Sequence, residues 1–261
     1  MYKRELKVNL KSFIIWTTIL SLILLLSYAF YPSMDQSISM DEILEMLPEE
    51  LIIAFNMDIV SVDTAFGWFA TEGYVMLALI GSCYASLLGS TILLKEESEK
   101  TIEFLMSKPA SRLSVFRSKL LAGLTYITAI NLILFAVTTI SLLLLDSLEL
   151  KIVLLLSGSL YFIHLIFFFV TFLISLFFTK TKKMIGLSLG LVLGTYFLQI
   201  ISVINDRIEF LKYFSPFEYF SPRYIIRNEM YNVWYLLLLF LIVSVSVLVS
   251  IKVYKNKEFT L

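Results

Sequence analysis

The chain has 261 residues, of which 59% are hydrophobic and only 16% are charged, and its mean hydropathy is +0.86. A soluble domain averages about 45–50% apolar and about 25% charged residues, so this composition excludes a soluble enzyme, a secreted disulfide-rich domain and a disordered segment. The formal net charge is zero, which offers no basic surface for a nucleic acid. The single cysteine, Cys83, can form neither an internal disulfide nor a cysteine metal site. The composition indicates a polytopic membrane protein.

Six apolar stretches are long enough to cross a bilayer as helices. A helix needs about 20 apolar residues to span a hydrocarbon layer of about 30 Å, and no Asp, Glu, Lys or Arg lies within any of the six. A β-barrel is excluded because its strands are alternating segments of about 10 residues. We therefore predict an all-α fold with one transmembrane domain over residues 1–261 and spans at 12–31, 73–94, 120–145, 152–179, 184–204 and 233–251.

The basic residues predict the orientation of these spans. Placing the N-terminus inside leaves 16 of the 21 lysines and arginines on the cytoplasmic side and five outside, in agreement with the positive-inside rule. Both termini are therefore expected in the cytoplasm. The first span is longer than the apolar core of a cleaved signal peptide, about 7–15 residues, so we expect it to be retained as an anchor.

The basic N-terminal segment carries a helical pattern of its own. Residues 2–11 place Tyr2, Leu6 and Leu10 four positions apart among basic side chains, which predicts a short helix lying in the cytoplasmic interface. A frayed basic start that only sets the topology explains the pattern equally well.

The two long outer loops differ in character. Residues 32–72 carry nine acidic residues and no basic ones, and helix-start signals at Ser39 and Pro48 predict two short helices. These acidic residues could form a vestibule for cationic cargo. The simpler and preferred interpretation is that topology keeps basic residues out of an outer loop and that solubility keeps acidic ones in. Residues 205–232 carry eight aromatic residues and two prolines, which predicts short helices in the outer leaflet; a plain aromatic belt is the alternative.

Small and polar residues inside the spans predict contacts between helices. Asn131 and His164 lie near the middle of spans three and four, which are antiparallel neighbours, so we expect a hydrogen bond between their side chains. His164 has no acidic partner in the membrane, which disfavours a proton relay or a metal ligand. Small residues four positions apart let a neighbouring helix approach closely, either within one subunit or at a seam between subunits or beside a pathway. They are Gly81, Ala85 and Gly89 in span two and Gly186, Gly190 and Gly194 in span five.

The longest cytoplasmic loop, residues 95–119, combines charge with an apolar face. Glu96 and Lys100 are four positions apart, which favours a helix continuing out of span two, and Pro109 predicts a turn before the chain returns to span three. Such a hairpin either lies on lipid or docks a cytoplasmic partner. Its four glutamates disfavour anionic lipid, so docking is the preferred interpretation.

The sequence of this loop resembles that of type-2 ABC exporter permeases, the membrane subunits of ATP-binding-cassette transporters. The family pattern is roughly E-x-x-x-G-T-x-x-x-L-L-S-x-P-x-S-R, followed by a lysine that opens the third span. Lys100 stands where the family has glycine, and Met106 stands where it has the second leucine. The residues that match are Thr101, Leu105, Ser107, Pro109, Ser111, Arg112 and Lys119.

This resemblance implies a coupling helix that sits in a cleft of a separate ATPase subunit. Two ATPase subunits would bind ATP and Mg²⁺ and move two permeases, either two copies of this chain or one copy with a related permease, in a prokaryotic plasma membrane. The chain has no G-x-x-x-x-G-K-[ST] phosphate loop to cradle ATP, so we expect no cofactor on it and no enzyme activity. We expect it to export an unidentified substrate, with membrane lipid and no nucleic acid among its other partners. The expected ATPase contacts and hairpin supports are Glu97, Glu99, Thr101, Glu103, Leu105, Pro109, Ser111 and Arg112.

Other functions fit the residues less well. An ion-coupled secondary transporter places ionisable groups at mid-membrane, and this chain offers His164 alone. An intramembrane metalloprotease needs clustered histidines, and the sequence contains one. No nucleophile with a neighbouring base stands out for a serine-based enzyme. A membrane scaffold or sensor subunit that transports nothing stays open.

Overall fold

The computed structural model describes residues 1–30, 52, 64–102, 111–204 and 206–257. Six of its helices are long and apolar enough to cross a membrane, and no strand occurs in the part of the chain that is described. The all-α class and the six predicted spans are therefore confirmed. We label the six helices α1 (Tyr2–Phe30), α2 (Ala65–Ile92), α3 (Arg112–Leu144), α4 (Leu150–Ser175), α5 (Thr181–Ile204) and α6 (Val233–Asn256).

Helices α2 and α4 form the centre of the bundle and are its two most buried spans. They pack along each other, α5 packs on α2, α3 and α6 pack on α4, and α1 packs on α3. Bulky side chains of the central pair, such as Tyr84, Phe168 and Phe172, are almost completely buried. The outer helices expose long apolar faces, as expected for helices that face lipid or another subunit.

The small residues of α2 allow this helix to approach α4 closely. A methyl group at Gly81 would lie 2.4 Å from Nε2 of His164, and one at Gly89 would lie 2.4 Å from the backbone oxygen of Phe168. Ala85 between them is fully buried. These three residues therefore pack within one chain.

The three glycines of α5 lie in a different environment. A methyl group at Gly186, Gly190 or Gly194 would meet no described atom within 4 Å, and all three residues are exposed. This face of α5 is therefore open in the single chain.

The separate interfacial helix predicted at the N-terminus is wrong, because α1 begins at Tyr2 and continues without a break into the first span. Contacts with α3 explain the difference. The Tyr2 hydroxyl lies 2.7 Å from Oγ1 of Thr125, and the Tyr126 hydroxyl donates to the backbone oxygen of Leu6. Glu5 is buried in the same contact. These interactions hold the segment along α3 instead of leaving it parallel to the membrane surface.

The second span begins eight residues earlier than predicted. Oγ1 of Thr64 accepts a hydrogen bond of 2.9 Å from the backbone N–H of Gly67, which caps the new start of α2. The helix passes through a π-helical segment at Phe69–Gly73, so Glu72 belongs to the helix and not to the outer loop. The two helices predicted near Ser39 and Pro48 lie outside the described residues.

The aromatic outer loop forms the short helices that its prolines predict. Phe217 fixes them to the bundle, because its ring centroid lies 5.3 Å from that of Phe167 in α4 and 5.6 Å from that of Tyr196 in α5. Two of the helices begin with a proline, whose fixed φ suits the first helical position. The segment contains a 3₁₀-helix at Asp206–Phe214 and α-helical turns at Pro216–Tyr219 and Pro222–Asn228.

Candidate functional site

A buried lysine, Lys119, lies in the first turns of α3 and is 1% exposed. Its Nζ atom is 2.7 Å from Oε2 of Glu96 and 3.1 Å from Oε2 of Glu5. It also donates to the backbone oxygen of Ile92 at 2.7 Å. An ammonium group has three protons to donate, so each proton of Lys119 has an acceptor.

Arg4 balances the charge of this group. Its Nη1 atom lies 3.2 Å from Oε1 of Glu5 and 3.5 Å from Oε1 of Glu96, so two carboxylates meet two cations. We call Arg4, Glu5, Glu96 and Lys119 the ion cluster. A buried ion costs several kcal/mol unless a partner compensates it, and here the partners come from α1, α3 and the segment after α2. The ion cluster therefore fastens three parts of the chain together.

The end of α6 is tied to the same region by a second set of contacts. Nζ of Lys257 lies 2.6 Å from Oε2 of Glu97, whose side chain is 2% exposed. Nη1 of Arg112 donates to the backbone oxygens of Lys255 and Lys257 at 3.2 and 2.9 Å. Glu97 precedes residues 103–110 and Arg112 follows them. Both ends of this loop are therefore fastened to α6.

The start of α5 joins the same end of the bundle. The backbone N–H of Thr181 donates to Oγ of Ser98 at 3.2 Å, and Ser98 closes the short helix Lys95–Ser98. Ile102, which follows, is buried. The segment between α2 and the loop thus contacts the ends of α1, α3, α5 and α6.

The backbone conformation at Lys100 explains why the family pattern has glycine at this position. Its φ is +57°, in the left-handed region that glycine adopts at little cost. The backbone N–H of Thr101 then donates to the oxygen of Glu96 at 2.8 Å and closes the helical turn. The pattern has glycine at this position, and the geometry supplies the reason: a residue with a side chain is strained here.

The residues predicted to contact an ATPase fall into three groups. Glu97 is buried and pairs with Lys257 of its own chain, so its contact with a partner stays a prediction. Four residues are exposed beside the loop, namely Glu99, Thr101, Ser111 and Arg112. The remaining three lie outside the described residues, namely Glu103, Leu105 and Pro109.

The hydrogen bond predicted between spans three and four is present. Nδ1 of His164 lies 3.0 Å from Oδ1 of Asn131, and the Asn131 amide donates to the backbone oxygen of Ile127 at 2.8 Å. The amide oxygen therefore accepts from the ring. Both side chains are buried, so this contact links α3 and α4 inside the bundle.

Sequence reasoning identified Lys119 as a motif residue and missed its partners. The prediction began span three at residue 120, whereas α3 begins at Arg112, so Lys119 lies two turns inside a helix that continues into the membrane. A lysine at such a depth requires acidic partners. Glu5 and Glu96 border the first two spans on the same predicted side of the membrane, which was the available signal.

Comparison with known proteins assigns the chain to a family. A sequence model of the ABC-2 family transporter proteins matches residues 1–259. The match covers almost the whole chain, which therefore belongs to the ABC-2 transporter family and is an ABC-type membrane permease. Permeases of this family generally work with ATP-binding-cassette ATPases. No curated protein matched the chain.

Family membership confirms the resemblance drawn from the loop between α2 and α3. It favours the ABC permease over the ion-coupled transporter, the intramembrane enzyme and the scaffold.

Proposed function

We propose that the chain is the membrane subunit of an ABC exporter, moved by a separate ATPase that docks on residues 103–110. The observation that carries this proposal is the fastening of both ends of that loop. Before it, Glu96 belongs to the ion cluster and Glu97 binds Lys257. After the loop, Arg112 donates to the backbone oxygen of Lys257 at the end of α6. Lys119, further along α3, is a member of the ion cluster.

Such fastening suits a coupling element. Buried ion pairs are costly to separate, because each partner would be left as an uncompensated charge. A displacement of the loop by an ATPase therefore drags the ends of α1, α3 and α6 with it. Loops held only by solvent-exposed contacts would absorb the same displacement locally.

The docking surface consists of the loop itself and the exposed residues that border it. Glu99 offers a charge to basic groups of the partner, and Thr101 offers a small polar contact. Glu103, Leu105 and Pro109 supply the charge, the apolar contact and the turn within the loop, as the family pattern implies. ATP and Mg²⁺ belong to the ATPase, of which we propose two copies.

The docking end faces the cytoplasm in this proposal. The N-terminus, the α2–α3 segment, the start of α5 and the end of α6 meet at one end of the bundle through the contacts described above. These segments hold 16 of the 21 basic residues, and basic residues are retained on the cytoplasmic side.

Two permease subunits enclose the pathway in this proposal, and the open face of α5 is the candidate seam. Its glycines would let a second helix approach closely. Gly190→Cys in a Cys83→Ser background should form a disulfide dimer in native membranes. Phe240→Cys is the matched control and should stay monomeric, because the Phe240 side chain on α6 is also exposed, by 71%, and lies outside the proposed seam. Cross-linking at Phe240 alone would contradict the seam.

Photo-cross-linking tests the docking site directly. A photoreactive amino acid at Leu105 should capture the ATPase encoded beside this chain, and one at Leu132, which is 62% exposed on α3, should capture no ATPase. Co-purification of the two proteins is expected in both variants. Capture from Leu132 alone, or no co-purification, would refute the proposed docking.

A further inference from the structure

A basic surface follows the first three turns of α1, at the end of the bundle that holds the ion cluster. Lys3, Lys7 and Lys11 are four positions apart, and all three are exposed. A step of four residues advances a helix by about 40° beyond one full turn, so the three side chains lie on one face. We call these three lysines the α1 basic face.

The α1 basic face has no acidic partner among the residues that the structure describes. The side chains of Lys3, Lys7 and Lys11 make no ion pair or hydrogen bond with any of those residues. Glu5 is the one acid of α1, and it is buried against Lys119. Like charges four positions apart on a helix repel each other. An anion bound to this face would offset that repulsion.

A cavity of about 430 Å³ lies against this face. The described residues that line it are Lys3, Arg4, Lys7 and Val8. Arg4 is 41% exposed and belongs to the ion cluster, where two carboxylates compensate its charge. The two lysines are the uncompensated charges of this lining, so the cavity suits an anionic group and borders the ion cluster.

The same side of α1 continues along the membrane span as an apolar stripe. Ile14 and Leu25 follow Lys7 by seven and 18 residues, which is about two and five turns of a helix. They are 53% and 46% exposed. A phospholipid has its parts in the same order, with a headgroup above apolar chains. A lysine lays its apolar stem along such a surface while its ammonium group reaches the headgroups.

We propose that the α1 basic face binds the headgroup of an anionic phospholipid, whose acyl chains lie along the apolar stripe. Lys3 and Lys7 meet the headgroup in the cavity, and Lys11 adds a third charge where the stripe begins. The stripe favours a lipid over a soluble phosphate, because it offers a surface to the chains. The assignment to the cytoplasmic leaflet rests on the orientation proposed above, whereas the binding itself is independent of the ATPase and of the direction of transport.

The test measures binding to the full chain in neutral detergent, by native mass spectrometry and by thermal shift. The probes are dioleoylphosphatidylglycerol, dioleoylphosphatidylcholine, which has the same chains without a net charge, and glycerol phosphate, which has no chains. Phosphatidylglycerol should bind at least about tenfold more tightly than either, because each basic residue near an anionic surface strengthens binding by about fivefold. It should also raise the melting temperature, and added salt should weaken its binding, because ions screen an exposed charge.

Lysine variants link the binding to the α1 basic face. The variant that combines Lys3→Gln, Lys7→Gln and Lys11→Gln should bind phosphatidylglycerol and phosphatidylcholine with equal affinity. The variant with arginine at the same three positions keeps the charges and should keep the preference for phosphatidylglycerol.

The matched control removes three exposed lysines from the start of α5, at the same end of the bundle. It combines Lys180→Gln, Lys182→Gln and Lys183→Gln and should keep the wild-type preference. An equal loss in the two glutamine variants would assign the preference to the net charge of the protein and overturn the proposal.

Three further results would overturn the proposal. The first is a wild-type preference in the α1 glutamine variant. If that variant does not fold, Lys7→Glu decides, and a wild-type preference in it counts in the same way. The second is equal affinity of the wild type for the two phospholipids. The third is equal affinity for glycerol phosphate and phosphatidylglycerol, which would assign the face to a soluble phosphate. No ATPase is present in this experiment, so these results leave the proposed docking unaffected.

Discussion

Lys119 and Glu96 form a buried ion pair of 2.7 Å between α3 and the segment that leads into the loop. Glu5 joins the same lysine from α1 at 3.1 Å. One ammonium group therefore holds three parts of the chain at the end of the bundle where an ATPase is proposed to dock. The ion cluster makes these parts a single mechanical unit.

Removal of the Lys119 ammonium group should strongly lower the free energy of unfolding of the protein. Lys119→Ala leaves two buried carboxylates without their shared cation, and we expect a loss of about 3–5 kcal/mol. Lys151→Ala removes an exposed lysine whose partner Glu229 is also exposed, and should cost at most about 1 kcal/mol. Thermal unfolding in detergent measures both. Equal melting temperatures would show that the ion cluster does not support the fold.

Lys100→Gly should stabilise the protein. Lys100 has a φ of +57°, and glycine relieves the strain of a side chain there, by about 0.5–1 kcal/mol. Lys100→Ala removes the same charge and keeps the strain, so it serves as the control. A higher melting temperature is expected for the glycine variant alone. An equal rise in both variants would assign the effect to the charge.

The hydrogen bond between Asn131 and His164 should appear as coupling in a double-mutant cycle. The single variants Asn131→Ala and His164→Ala each break the contact, and the double variant loses it only once. The expected coupling is about 1 kcal/mol, in the range measured for hydrogen bonds inside membranes. Strictly additive effects on stability would mean that the contact contributes nothing.

Glu218 should make stability depend on pH. The groups that surround its carboxyl are Lys212, Arg223, Glu209 and the amide of Gln199. Burial has the largest influence and raises the pKa of the carboxyl above its ordinary value of 4.5. The ionised form is therefore disfavoured in the folded protein. This cost is absent at pH 4 or below and develops as the pH rises through the raised pKa.

Melting temperatures between pH 4 and pH 8 test this expectation. The Glu218→Gln variant should match the wild type at pH 4 and exceed it at pH 8. Glu209→Gln is the opposite control, because Lys212 lowers the pKa of Glu209. At pH 8 the wild type should therefore have a higher melting temperature than the Glu209→Gln variant. A Glu218 difference that is constant with pH would contradict the assignment.

The number and order of the spans could be predicted because bilayer thickness sets the length of an apolar helix. Helix ends could not be predicted from hydropathy, since tertiary contacts decide them. Thr64 caps α2 before its apolar run begins, and Ser111 caps α3 through the N–H of Ser114. The same limit produced the wrong helix break after Lys11, where contacts with α3 keep α1 continuous.

The candidate site was predicted in part. Loop residues were recognisable because their order along the chain forms a pattern. The ion cluster was not, because Glu5, Glu96 and Lys119 are far apart in sequence and meet only when α1 packs on α3. Charge alone also could not show that Glu97 is buried against Lys257 of its own chain, and the contact of Glu97 with an ATPase stays a prediction.

The most direct test of the central claim is the rate of ATP hydrolysis by the partner ATPase, measured with and without this chain in lipid nanodiscs. The wild-type chain should change that rate several-fold. The variant that combines Glu103→Lys with Arg112→Glu should insert and fold, with a melting temperature lowered only by the loss of the two exposed Arg112 hydrogen bonds, and should leave the rate unchanged from that of the ATPase alone. A wild-type effect on hydrolysis by this variant, with the ATPase still bound, would contradict the account.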